Sequence, residues 1–206
     1  MFRPVGYLIR TKAGPQGERG QFYDYVLAGN GVWIEAEGPF FAARVPVAAA
    51  EIRGLAPLEP VLVLRHGPIP QYLFDLALGT MMADTSRERY VAVTWNDDYH
   101  LHVPEQDADA ASTHYVAVDN TVLDLHSHGT MAARFSTTDD RDELGLKVFG
   151  VLGRLADRPE LRLRVGVYGY YHPVAWGEVF AGTLDGVNDL LGREPDEDDD
   201  SDCRGP

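Results

Sequence analysis

VLDLHSHGTMAARFSTTDD, residues 122–140, is the stretch on which the reading of this chain turns. The apolar run through Leu125 predicts a strand. Side chains at i and i+2 of a strand share a face, so His126 and His128 present both imidazoles to one side. Ten and thirteen residues after His126 come Ser136 and Asp139, with the serine-plus-acid spacing of a capping box that opens a helix. Two nitrogens from a strand end and one carboxylate oxygen from a helix start would hold zinc and leave its fourth position to water, as catalytic zinc sites do. Without a metal, the same residues are two strand-end histidines, a helix cap and a first-turn acid. A cap and a ligand are compatible, because a capped helix start fixes the carboxylate.

Outward from this stretch, the first 66 residues read as a β-rich unit. Residues 5–9 form a short apolar run and 11–20 a loop rich in Gly, Pro and charge. Strands at 22–28 and 32–37 flank Gly29-Asn30-Gly31, a hairpin signal because the favoured turn needs positive φ. A further strand is expected at 40–47. From Pro70, Leu73, Phe74, Ala77, Leu78 and Met81 recur at helical spacing and predict a helix ending near 84–86. Strands are expected at 90–95 and 99–103, joined by Asn96-Asp97-Asp98, then a polar loop at 104–112 and a strand pair at 115–118 and 122–125. The helix opened by Ser136 is expected to end near Leu155, and two strands follow at 161–171 and 175–180. The order helix, strands, helix, strands predicts an α+β (α/β layered) domain over residues 67–192, with an acidic tail at 193–206. There is no internal repeat, Gly-rich phosphate loop or G-x-S-x-G elbow.

The chain has 206 residues, 45% of them hydrophobic, enough for a real core. Its longest apolar runs, 61–64 and 90–95, fall far short of the roughly 20 residues of a membrane-spanning helix. The amino-terminal residues carry no signal-peptide pattern, and one cysteine, Cys203, forms no intramolecular disulfide and no all-cysteine zinc site. The expected location is the cytoplasm. The net charge of −14 argues against direct nucleic-acid binding, and −5 of it lies in residues 193–206, leaving −9 for the body.

His126-Ser127-His128-Gly129, six residues, Ser136, two residues and Asp139 resemble the JAMM motif of the MPN-domain (JAB) metallopeptidases, H-S-H-P-x6-S-x2-D. The resemblance implies an MPN/JAB-type mixed sheet flanked by helices over roughly residues 70–182. It implies one zinc held by His126, His128 and Asp139. By position, Glu88 would take the proton of the activated water and pass it to the leaving amine, and the Ser136 hydroxyl would stabilise the oxyanion. Gly129 stands where the motif has proline, which is expected to loosen the turn and removes no ligand. Glu88 lies between Arg87 and Arg89, where a salt-bridged surface acid is the alternative, and Glu105 is a rival base. The wider wording is similar to a prokaryotic JAB branch of the PRTRC cassettes, encoded beside ThiF-like (E1-like) and ParB-related proteins.

Asp124 shares the face of His126 and His128 by alternation, which makes it either support for an imidazole or a solvent-facing acid. His100 and His102 form a second H-x-H with no carboxylate at ligand spacing, and read as an exposed strand face or a wall of the substrate groove. His172 has no identifiable partner, and Met81 and Met82 read as core. The resemblance favours a zinc metallopeptidase or isopeptidase acting on the carboxyl-terminal tail of a ubiquitin-like or sulfur-carrier-like protein, held by β-augmentation. The rival is a non-catalytic MPN-type scaffold that binds its cassette partners. An H-x-H barrel hydrolase needs about 250 residues for its eight βα units and does not fit.

Overall fold

The computed structural model describes residues 2–104 and 119–191. The 115–118 strand, Glu105, Cys203 and the acidic tail expected from the sequence lie outside the described residues. Two mixed sheets dominate, so the chain is mostly β.

The first sheet contains β1 (Val5–Thr11), β2 (Gly14–Glu18), β3 (Tyr23–Ala28), β4 (Gly31–Glu37), β5 (Phe41–Ala49) and β6 (Val61–Leu64), in the order β2-β1-β3-β4-β5-β6. The hairpin expected around Asn30 joins β3 to β4, with Ala28 opposite Gly31. Residues 14–18, expected to be loop, instead pair with β1 as an edge strand. Pro15 is tolerated there because an outermost strand leaves one row of backbone groups unpaired, and the pairing needs no apolar side chains.

After β6 comes α1 (Gln71–Met82), which buries Leu73, Phe74, Ala77 and Met81 at the expected helical spacing. The second sheet is built from β7 (Tyr90–Trp95), β8 (Tyr99–His102), β9 (Thr121–Ser127), β10 (Leu146–Gly153), β11 (Glu160–Val167) and β12 (Tyr170–Pro173), in the order β12-β11-β10-β9-β7-β8. A two-residue strand, β13 (Asn188–Asp189), pairs with β11. Among the described residues no helix is long and apolar enough to cross a membrane.

Two expectations are corrected. The helix predicted from Ser136 to near Leu155 is one turn, α2 (Asp139–Asp142), and the rest of that stretch is β10 at the centre of the sheet. β10 lies between β9, its parallel partner, and antiparallel β11. Its residues from Val148 to Gly153 are all buried, so hydrophobic alternation is absent and the run mimics a buried helix. Val148, Phe149 and Val151 suit a strand, and Gly153 lets the neighbouring loop approach: a Cβ there would sit 2.2 Å from the Ala133 nitrogen. The strand expected at 175–180 is a single turn, α3 (Trp176–Val179), whose start is held by the Glu178 carboxylate accepting from the Ala175 N–H at 2.7 Å. Among the described residues the α component is therefore one 12-residue helix and two short turns, less than a layered α+β domain implies.

One hydrophobic core joins the two sheets. Ile34, Phe41 and Val45 of the first sheet pack in one cluster with α1 and with Val91, Val93, Leu123, Leu125, Leu161 and Leu163 of the second. Burial of each such side chain contributes about 1.5–3 kcal/mol. Because side chains alternate across a strand, the opposite face of the second sheet carries the polar partners. Tyr90, His126, Val151 and Arg162 form one cross-strand row, and Ala92, Asp124, Phe149 and Arg164 the next.

Candidate metal centre

His126 and His128 stand at the carboxyl end of β9, which Ser127 locks in place. The fully buried Ser127 hydroxyl accepts from the Arg89 N–H at 3.1 Å, and the Ser127 N–H donates to the Arg89 carbonyl at 2.8 Å. His128 donates its backbone N–H to the Leu152 carbonyl at 2.8 Å. Gly129 then turns the chain with φ at +58°, and its carbonyl accepts from Leu155 at 2.9 Å. A Cβ at Gly129 would lie 2.3 Å from the Thr85 carbonyl oxygen. The turn is thus packed and hydrogen-bonded rather than loosened, and glycine is the residue its left-handed backbone admits. The returning loop is pinned by Ala133, which packs with Val151 and Leu190 and accepts from Arg162 Nε at 2.7 Å.

Ser136 and Asp139 cap each other. The Asp139 N–H donates to Ser136 Oγ at 3.2 Å, and the Ser136 N–H donates to Asp139 Oδ2 at 2.5 Å. That leaves Asp139 Oδ1 facing His126 Nε2 at 3.6 Å. One ligand atom from each of His126, His128 and Asp139 lies within 4.8 Å of the others. Among the described residues this is the one His/Cys/Asp/Glu group with the geometry to hold an ion.

The donor set fits a divalent metal such as zinc. His126 Nε2 is buried without a hydrogen-bond partner, which is costly for a polar atom unless something else meets its lone pair. Burial pushes the His126 pKa down, against the opposing pull of Asp139, so the ring is neutral at neutral pH and free to donate that lone pair. For Asp139, burial acts upward, but the Ser136 hydrogen bonds and the nearby histidines outweigh it and hold the carboxyl below its ordinary value. A neutral His126 ring and an ionised Asp139 carboxylate are the protonation states a metal requires.

Behind His126 lies a set of contacts that the sequence-based expectations do not include. Arg164, buried on β11, donates from Nε and Nη2 to Glu143 Oε2 at 3.0 and 2.5 Å, and from Nη1 to Asp140 Oδ1 at 2.7 Å. Its guanidinium lies between the Phe135 and Tyr171 rings, 3.7 and 3.9 Å from their centroids. The Tyr171 hydroxyl donates to the Asp140 and Glu143 carbonyls, which clamps α2 onto the sheet. Glu143 Oε1 in turn lies 3.9 Å from His126 Nδ1. Burial pushes the Glu143 carboxyl up, opposed by Arg164. Glu143 was hidden inside the expected helix, whereas Arg164 had a usable signal, a charged residue within the apolar run of β11.

The other expected residues are placed as follows. Glu88 is exposed, two residues before Tyr90, which pairs with His126. Asp124 accepts from the Tyr90 hydroxyl and from Lys147 Nζ, the latter at 2.9 Å, and the carboxylate facing the His126 ring edge is Glu143. Exposed His100 and His102 lie on edge strand β8 and belong to no ion-holding group among the described residues. His172 lies on β12, where burial lowers its pKa.

A mixed sheet that ends one strand in His-x-His and answers it with a capped carboxylate defines a candidate metalloprotein. Residues 77–165 match the family model of prokaryotic homologs of the JAB domain. No curated protein and no solved structure matches the chain.

Proposed function

We propose that the chain is a zinc-dependent metallopeptidase of the JAMM type that hydrolyses an amide or isopeptide bond. The observation that carries this is His126 Nε2, buried, unpartnered and 3.6 Å from Asp139 Oδ1. One zinc per chain, when bound, supplies a Lewis acid that brings a water's pKa from 15.7 to about 7. His126, His128 and Asp139 hold it. Glu88 accepts the proton of the attacking water and returns it to the leaving amine, and the Ser136 hydroxyl steadies the developing oxyanion.

The substrate in this reading is the carboxyl-terminal tail of a ubiquitin-like or sulfur-carrier-like protein, taken in extended form in the cytoplasm. An E1/ThiF-like protein of a PRTRC cassette is the proposed partner. The match of residues 77–165 to that family model and the grouped donor set support the reading. The experiment is cleavage of a sulfur-carrier or ubiquitin-like protein bearing a carboxyl-terminal extension, with the zinc-loaded full chain. Glu88→Gln should keep its zinc and lose about 10²–10⁴-fold in turnover, the range for a general acid–base group. Undiminished turnover in that variant removes Glu88 from the role.

The exposure of Glu88 favours a second reading, a non-catalytic scaffold in which the MPN-type fold binds cassette partners. Cleavage by the zinc-loaded chain that stops in His126→Ala separates the two.

A further inference from the structure

We infer that Glu143, anchored by Arg164, is the positioning residue of His126, holding the ring's proton on Nδ1 and so leaving the Nε2 lone pair for an ion shared with His128 and Asp139. The inference rests on the reading of His126, His128 and Asp139 as a metal-holding group. Two carboxylates address the two nitrogens of one imidazole: Glu143 Oε1 at 3.9 Å from Nδ1, and Asp139 Oδ1 at 3.6 Å from Nε2. A neutral imidazole has one N–H and one lone pair. With the proton on Nδ1, the N–H meets Glu143 and the lone pair meets the donor set. With the proton on Nε2, the N–H would meet Asp139 and the Nδ1 lone pair would face Glu143, so the two carboxylates alone oppose each other and a cation beside Nε2 decides. The Glu143 contact is longer than a hydrogen bond, and it acts by charge. Once a cation occupies the donor set, both nitrogens are met favourably only in the Nδ1–H form, with the cation at the Nε2 lone pair and Glu143 at the Nδ1 proton.

The anchoring is specific to one oxygen. Arg164 takes up Glu143 Oε2 with both Nε and Nη2, leaving Oε1 as the oxygen on the His126 side. Arg164 is itself fixed by two aromatic rings and Asp140. Asp124, which alternation also places on this face, is engaged by Tyr90 and Lys147. A chain of held groups thus runs from β11 through Glu143 to His126, the arrangement by which outer carboxylates orient metal-binding histidines.

The test uses the full chain and two readouts: zinc affinity by competition with a chromophoric chelator, and which His126 nitrogen keeps its proton, by ¹⁵N NMR in the zinc-loaded protein. Glu143→Met, which removes the acceptor, should weaken zinc binding about 10–100-fold and abolish the preference for Nδ1–H. Glu143→Gln keeps an acceptor oxygen and should recover most of both. Should Glu143→Met misfold because Arg164 has lost its partner, combining it with Arg164→Met removes the buried charge pair and gives the same two readouts. Unchanged zinc affinity and an unchanged tautomer in either methionine variant overturn the inference. If the unaltered chain takes up no zinc, the metal reading falls and the positioning role falls with it.

Discussion

At the scale of single residues, Gly129 shows how a motif and a backbone can disagree. The resembled motif has proline there, yet φ is +58° and a Cβ would meet the Thr85 carbonyl oxygen at 2.3 Å. Proline holds φ near −65°. Gly129→Pro, which restores the motif's wording, should therefore destabilise the chain by at least about 1–3 kcal/mol, seen as a lower denaturation midpoint with an unchanged slope. A variant as stable as the original would show that the turn adopts a second conformation. The three donors, by contrast, were legible from spacing alone, because an i, i+2 pair on a strand and a capped helix start leave little freedom in where the side chains go. Glu143 was not legible. Its contact with His126 depends on Arg164 and Tyr171, which lie 21 and 28 residues further along the chain.

At the scale of elements, β10 is where local pattern and tertiary structure part. The alternating strand β3 and the helix α1 are recognisable because each buries one face, and that leaves a period in the sequence. β10 is buried on both sides and loses the period, so its apolar residues fit a helix as well as a strand. Its glycines carry the distinguishing information: a Cβ on Gly153 would collide with the backbone at Ala132 and Ala133. Gly153→Ala should accordingly lower stability by about 1–3 kcal/mol and disturb the loop that leads to Ser136, measurable as a lower melting temperature and weaker zinc uptake. An unaffected melting temperature would mean that the loop moves aside freely. The edge strand β2 was missed for a different reason, since its pairing with β1 uses backbone groups and places no apolar demand on the side chains.

At the scale of the whole molecule, the shared core means that the amino-terminal sheet and the second sheet stabilise each other. A chain lacking residues 1–66 would expose Val91, Leu123, Leu125 and their neighbours, which now pack with Ile34, Phe41 and Val45. Such a truncated chain should lose its cooperative thermal transition, whereas a sharp transition would show that residues 67–206 fold unaided. Metal binding should act across the whole fold as well: at 100 times its Kd, zinc adds about 2.7 kcal/mol and should raise Tm by roughly 5–10 °C. Removal by a chelator should reverse the rise. The most direct measurement is zinc content per chain after equilibration and exhaustive dialysis of the full protein, alongside His126→Ala. About one zinc per chain, lost in His126→Ala, is the predicted result; no retained zinc in the unaltered protein, or equal zinc in the variant, would contradict it.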